Sequence, residues 1–223
     1  MDRRSSGDQV AAHIRRMVFE GDLRPGDRVR QDDIAENLGV SRIPVREAII
    51  ALDREGWVTI EPHRGAYVNG LDPDYVRDHY ELFGSIFALV ARRVVERGDA
   101  AGKAAIVEAA DAVADAADPE AFNLANRAYL GALHRAARAP RLRSVARVMT
   151  SIVPGNFFAV VPGAVDTQRK GLARITRSLE AGDADAAAEE FRRVLARQGD
   201  AVVELLDARG LFAEVDERDL AAR

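Results

Sequence analysis

The spacing of apolar and polar positions predicts a mainly α-helical chain with one small β-hairpin near its N-terminus. Apolar residues three or four positions apart lie on one face of a helix, whereas strict alternation is typical of a strand. The helical spacing occurs over residues 8–20, 31–38 and 42–55. Two β-prone runs at residues 57–60 and 66–69 then flank five residues that include a histidine, an arginine and a glycine. This arrangement predicts a hairpin with a basic tip.

Beyond the tripeptide Leu71-Asp72-Pro73 the pattern is helical, and no alternating strand pattern follows. The spacing predicts helices near residues 73–97, 100–116, 119–137, 140–152, 165–181 and 184–208. The apolar segment 153–163 is interrupted by proline and glycine, which predicts a loop. Two domains are therefore expected, one over residues 1–70 and an all-α helical bundle over residues 71–223.

The third predicted helix carries candidate DNA-binding side chains. Arg42 and Arg46 are four residues apart and share one helix face, opposite the apolar face. Ser41 is expected to be the N-cap, and Pro44 falls in the first turn, where the missing amide proton costs nothing. Two helices joined by a turn and followed by a hairpin place the second helix in the major groove and a wing beside it. An isolated arginine pair more often marks a solvated face, but this context predicts a winged helix-turn-helix.

Composition narrows the function further. The net charge of −4 argues against a protein that coats nucleic acid through bulk positive charge, so any DNA contact must be local. The absence of cysteine excludes disulfides, thiolate metal sites and cysteine nucleophiles. Neither a signal peptide nor a membrane span is evident, which favours a soluble, cytoplasmic protein with no membrane partner. No phosphate loop, nucleophile elbow or paired-histidine motif occurs, so an enzyme is not expected.

Four short motifs carry a family resemblance over nearly all of residues 8–69. They are Leu23-Arg24-Pro25-Gly26, the run from Leu38 to Ala48 (LGVSRIPVREA), Glu55-Gly56-Trp57-Val58 and Arg64-Gly65-Ala66-Tyr67-Val68. Together they resemble the GntR family of bacterial transcription regulators. The resemblance implies a regulator that binds double-stranded operator DNA.

The same resemblance implies a set of DNA contacts at the start of the third helix and at the hairpin tip. These residues are Ser41, Arg42, Pro44, Arg46, His63, Arg64 and Gly65. Plainer alternatives stay open for three of them: His63 as an ordinary loop histidine, Gly65 as a turn residue and Ser41 as only a helix cap. Because one such unit covers few base pairs, a homodimer on a two-fold operator is expected.

The helical remainder resembles the FCD domain of the FadR-like branch of that family. The matching motifs are Asp78-His79-Tyr80-Glu81-Leu82, residues 125–129 with 139–142, and residues 179–187. Many such domains hold a divalent metal on an aspartate and three histidines. The resemblance places these four positions on Asn126, Leu130, Leu172 and Val194. Only two of the four histidines of the chain, His79 and His134, lie in this domain, so no metal and no cofactor are expected.

The positions implied to surround an effector are mostly apolar here. They are Phe83, Phe87, Asn126, Tyr129, Leu130, Leu172 and Val194. This character predicts a cavity for a hydrophobic, lipid-like effector that controls the operator affinity of a repressor. Three alternatives stay open: the apolar side chains fill the domain core, the domain only dimerises the DNA-binding units, or it senses a small organic acid without metal.

Overall fold

The computed structural model describes residues 5–149 and 152–212. The described chain divides into two compact units: residues 5–73 with 206–212, and residues 74–205. The elements of the first unit are α1 (Ser6–Glu20), α2 (Gln31–Leu38), α3 (Arg42–Arg54), β1 (Val58–Glu61) and β2 (Gly65–Val68). The remaining helices are α4 (Pro73–Arg97), α5 (Ala100–Asp115), α6 (Pro119–Ala137), α7 (Pro140–Val148), α8 (Phe157–Val160), α9 (Ala164–Glu180) and α10 (Ala184–Ala208). The expectation of a mainly helical fold with one small hairpin is confirmed.

The core of the first unit forms where α1 packs against α3. Ile14 of α1 and Leu52 of α3 are fully buried, as the apolar spacing of both helices requires. Ser5 begins α1 with a capping box, in which its hydroxyl accepts from the Asp8 amide and the Asp8 carboxylate accepts from the Ser5 amide. At the other end of the interface, Arg15 forms a 2.5 Å ion pair with Glu55. The apolar contacts and this ion pair together hold α3 against α1.

The wing is a two-stranded antiparallel hairpin. Its register pairs Val58 with Val68 at the base and Glu61 with Gly65 at the tip. The segment before α2 also pairs with β2, because the Val29 amide donates to the Ala66 carbonyl at 2.8 Å. The hairpin is therefore joined to the helix-turn-helix by backbone hydrogen bonds and not only by the chain that follows α3.

The second unit is a helical bundle in which α5 packs against both α6 and α9. Two glycines allow close approach of neighbouring helices. A Cβ placed on Gly171 of α9 would lie 2.1 Å from Cγ2 of Val194 on α10, and one placed on Gly199 would lie 3.0 Å from Cβ of Tyr80 on α4. The helices thus meet at these positions with no space for a larger side chain.

Two predictions about element boundaries were wrong. The helix predicted to reach residue 152 ends at Val148, and Met149 already has extended backbone. The segment predicted as a loop, residues 153–163, contains the single-turn helix α8, which the Asn156 side chain caps by accepting from the Phe158 amide. Four residues are too few to show helical periodicity, so the flanking proline and glycine dominated the pattern.

Residues 206–212 cluster with the first unit, although they follow the predicted boundary at residue 71. Leu71 forms an isolated parallel bridge with Phe212, and the Arg209 guanidinium lies 4.4 Å from the ring centre of Phe19. Through these contacts residues 206–212 pack against the first unit. Within the described residues, no helix is both long and apolar enough to cross a membrane.

Candidate nucleic-acid interface and effector site

The first turns of α3 present arginines to solvent while the opposite face is buried. Arg42 and Arg46 are exposed, whereas Val45 and Ile49 have almost no exposed surface. Pro44 lies half-buried in the first turn, as predicted. The helix therefore holds both guanidinium groups on one accessible face, which is the geometry that major-groove recognition requires.

Ser41 occupies the N-cap position of α3, with φ −72° and ψ 168°. This confirms the expected N-cap position, although the Ser41 side chain makes no capping hydrogen bond. The residue is exposed, and the first turn of α3 contains no acidic side chain. The amides at this helix end thus remain available to an anion, which a helix N-terminus favours.

The wing tip combines two residues in left-handed backbone conformations with an exposed arginine. His63 has φ 62°, and Gly65 has φ 119°. The Arg64 side chain is 71% exposed and lies 2.5 Å from Glu61, and its guanidinium carbon lies 5.8 Å from the ring centre of Tyr67. Arg64 thus reaches solvent at the tip while resting against the wing.

Arg28 is a basic residue of this surface that the sequence did not single out. It pairs with Tyr67 through an isolated antiparallel bridge, and its side chain is exposed. A Cβ placed on Gly65 would lie 2.9 Å from Nε of Arg28. Gly65 therefore serves more than the turn: it also makes room for a guanidinium at the edge of the wing. Val29, an apolar β-branched residue between Arg28 and Arg30, was the signal that could have indicated this third edge.

In the helical unit, the predicted effector-site residues are mostly buried. Phe87, Asn126, Tyr129, Leu172 and Val194 are buried, whereas Phe83 and Leu130 are half-buried. The Phe83 and Phe87 rings are 5.0 Å apart in an edge-to-face arrangement. Phe87 also stacks on Phe191 at 5.4 Å, and Phe191 was not among the predicted residues. The aromatic side chains thus pack against one another.

A chain of three buried amide side chains crosses α6, α9 and α10. Gln168 Nε2 donates to Asn126 Oδ1 at 2.9 Å, and Gln198 Nε2 donates to Gln168 Oε1 at 2.6 Å. Sequence reasoning missed both glutamines, which lie one helical turn from Leu172 and Val194. Polar character is therefore present next to the apolar positions.

Tyr129 makes a separate buried hydrogen bond. Its hydroxyl lies 2.9 Å from the Thr176 hydroxyl. Burial raises the pKa of the Tyr129 phenol above its ordinary value, and the hydrogen bond between the Tyr129 and Thr176 hydroxyls opposes that shift. The group is therefore neutral and serves as a hydrogen-bonding group only.

Two family models match this architecture. The model described as bacterial regulatory proteins of the gntR family matches residues 6–68, which contain the helix-turn-helix and the wing. The FCD domain model matches residues 78–197, more than half of the chain. The chain belongs to the GntR family. Its FCD domain is the helical bundle, and its family is one of transcriptional regulators rather than enzymes.

Curated relatives of this GntR protein have names of the same kind. An uncharacterized HTH-type transcriptional regulator of Mycobacterium tuberculosis is 29% identical over 71% of this chain and 65% of its own length. The HTH-type transcriptional repressor RspR of Escherichia coli is 35% identical over 38% of this chain and 37% of its own length. The chain spans less than two thirds of the length of either relative.

Solved structures show the same fold at lower identity. A GntR family regulator of Pseudomonas syringae is 23% identical with a TM-score of 0.55, and the match covers 92% of this chain and 87% of that one. McbR/YncC of Escherichia coli is 19% identical with a TM-score of 0.58, covering 93% and 99%. These likenesses concern the architecture alone.

The four metal positions implied for the FCD domain of this GntR protein do not fit a divalent metal. The four positions that the family resemblance implies hold one amide and three aliphatic side chains, and the Asn126 oxygen already accepts from Gln168. Across residues 5–149 and 152–212, no group of three or more histidine, aspartate or glutamate side chains is arranged to hold a metal ion. A neutral amide oxygen alone is a poor ligand set for a transition metal.

The stability of this GntR protein is expected to fall on mild acidification because of a half-buried histidine. Burial lowers the pKa of His79, whose ring lies 6.3 Å from that of Phe83. As the pH falls below about 6.5, the ordinary histidine pKa, the unfolded state gains the proton first, so stability is lost until the pH reaches the lower folded-state pKa. Urea unfolding at pH 7.5 and 5.5 should show a smaller loss for His79→Gln than for the wild type. An equal loss in both would contradict this assignment.

Proposed function

We propose that the chain is a repressor that binds operator DNA as a homodimer and is released by a hydrophobic effector. In this proposal residues 1–70 bind DNA, and residues 71–223 bind the effector and dimerise. The observation that supports the proposal is the pair of exposed arginines, Arg42 and Arg46, on the solvent-facing side of α3. Repression is also supported by the name of the related Escherichia coli repressor.

The DNA contact divides between base recognition and backbone binding. Arg42 and Arg46 have the planar donor fork that matches the N7 and O6 acceptors of guanine. Ser41 and Pro44, at the start of the same helix, are proposed to approach a phosphate. At the wing tip His63, Arg64 and Gly65 are proposed to approach the minor groove, where a basic side chain finds strong negative potential.

The proposed homodimer follows from the small footprint of one helix-turn-helix. Two units on a two-fold operator double the number of recognised base pairs, and half-site spacing near one helical turn would match the molecular symmetry. Sedimentation of the free protein and the stoichiometry of its complex with a selected duplex test this element. A single chain bound to a single half-site would contradict it.

The proposed effector is apolar because most of the residues implied to surround it are apolar. Those surroundings are Phe83, Phe87, Asn126, Tyr129, Leu130, Leu172 and Val194. Phe83 and Leu130 are only half-buried, so an apolar ligand could gain contacts there. The stacked pair of Phe87 and Phe191 must separate or shift to admit a ligand into the interior. An effector would therefore bind by displacing aromatic contacts, which couples its binding to helix positions.

A second candidate function is a DNA-binding dimer without an effector. It is favoured by the close approach of Gly171 and Val194, which leaves no room at that helix contact. Side chains that fill a domain at normal packing density serve as core and not as a binding site.

Thermal unfolding with hydrophobic and hydrophilic ligands tests the two candidates. Palmitate at about a hundred times its dissociation constant should raise the melting temperature by about 5–10 °C and weaken binding to a selected duplex, whereas citrate should do neither. Phe83→Ser should abolish the palmitate effect, and the matched control Leu124→Ser, at an exposed leucine of α6, should retain it. If neither the melting temperature nor DNA affinity responds to a range of apolar ligands, the effector-free dimer is favoured.

A further inference from the structure

Arg42 is paired with a carboxylate from the other helix of the helix-turn-helix. Its Nε lies 2.7 Å from Oδ1 of Asp32, in the first turn of α2. Arg30 and Arg64 instead pair with acids three residues away along the chain. The Arg42–Asp32 pair therefore joins the recognition helix to α2.

This ion pair has little to contribute to folding. The Arg42 and Asp32 side chains are 77% and 66% exposed, and ion pairs so exposed to water add little measurable stability. A carboxylate beside the proposed DNA contact also repels phosphates, which lowers general affinity for a duplex. Asp32 also lies in the first turn of α2, where a carboxylate is favourable, but Asp33 shares that location. Its contact with the Arg42 guanidinium is what distinguishes Asp32 from Asp33.

The shortest contact between Arg42 and Asp32 is at Nε and not at a terminal nitrogen of the guanidinium. With that contact at Nε, we expect the two terminal nitrogens of Arg42 to donate together to N7 and O6 of guanine. An unrestrained arginine turns readily toward a phosphate, and phosphate contacts carry no sequence information. An acid fixed on α2 opposes that movement and keeps the donor fork near the base edges.

We propose that Asp32 is a positioning residue that holds Arg42 for guanine recognition, raising discrimination between operator and other DNA while lowering general DNA affinity. The inference rests on the proposed DNA contact by Arg42. In this inference Asp32 of α2 contributes to specificity through Arg42, without contacting a base itself.

Replacing Asp32 with asparagine tests the inference, because this change removes the charge and retains the size. The probes are a duplex selected by the full-length wild-type protein from a random library and a scrambled duplex of the same composition. For Asp32→Asn we expect affinity for the scrambled duplex to rise about threefold and affinity for the selected duplex to fall about threefold. The ratio of the two affinities then falls about tenfold, and the loss should be confined to guanine positions of the selected sequence.

The matched control is Asp33→Asn, which removes the same charge one residue later on α2. Asp33 is exposed and lies 3.9 Å from Arg30. We expect this variant to raise affinity for both duplexes equally and to leave the ratio unchanged. In an Arg42→Ala background, Asp32→Asn should cause no further change in the ratio, because the group that it positions is gone.

The outcomes separate this inference from the proposed function. If Asp32→Asn alters the ratio no more than Asp33→Asn while Arg42→Ala still lowers it, the positioning role is overturned and DNA recognition by Arg42 stands. If Arg42→Ala itself leaves the ratio unchanged, the proposed DNA contact fails, and the positioning role fails with it. Circular dichroism melting of each variant confirms that the helix-turn-helix remains folded.

Discussion

Replacing Arg42 with alanine should lower affinity for a selected operator by about 5- to 150-fold, the range expected for one bidentate arginine–guanine pair. Affinity for a scrambled duplex should change only a few-fold, because phosphate contacts from other basic residues remain. Arg46→Ala should have a similar effect, since both guanidinium groups lie on the exposed face of α3. In the double variant, affinities for the two duplexes should become nearly equal. Fluorescence anisotropy titrations with both duplexes at two salt concentrations would measure these changes.

Arg54→Ala is the matched control for this experiment. Arg54 is an exposed arginine in the last turn of the same helix, so the variant removes the same charge about three turns away from Arg42. We expect it to reduce affinity for both duplexes slightly and equally. Equal losses of discrimination in Arg42→Ala and Arg54→Ala would show that α3 acts through its overall charge, and that its N-terminal face does not read bases.

The sequence predicted the DNA-binding unit well because its determinants are local. Apolar spacing defines α2 and α3, glycine ends the first of them, and the basic residues of the wing tip lie within five residues of one another. The details that it missed depend on contacts between segments. The Arg42–Asp32 pair joins residues on two helices, and the Val29 amide donates to the Ala66 carbonyl of the wing.

The helical domain was predicted less completely for the same physical reason. Helix periodicity indicates which face is apolar, and Leu172 and Val194 are indeed buried. It gives no sign that Gln168 is buried too, because glutamine ordinarily lies on the solvated face of a helix. Its partners are 42 residues earlier and 30 residues later in the chain. The burial of Gln168 therefore follows from the packing of three helices and cannot be read from the pattern of one helix.

Gln168→Met should be strongly destabilising because Gln168 is the middle member of the buried amide chain. The substitution nearly preserves volume but leaves the Asn126 oxygen without its donor and the Gln198 amide without its acceptor. Each buried polar group that loses its partner costs about 1–3 kcal/mol, so the free energy of unfolding should fall by about 2–6 kcal/mol. Urea unfolding followed by circular dichroism measures this loss. A change within about 0.5 kcal/mol, as is usual for exposed positions, would contradict the structural role of the chain.

Gln198→Met is a milder variant of the same experiment. Gln198 is the last member of the row of three buried amides, so its loss deprives only the Gln168 oxygen of a partner. We expect about half the destabilisation caused by Gln168→Met. A triple variant that also carries Asn126→Leu removes all three amides and leaves none of them unpaired. It should be more stable than Gln168→Met alone, because apolar replacement of both partners avoids the desolvation penalty. If the triple variant is instead the least stable, the hydrogen bonds among the three amides make a net favourable contribution to the stability of the domain.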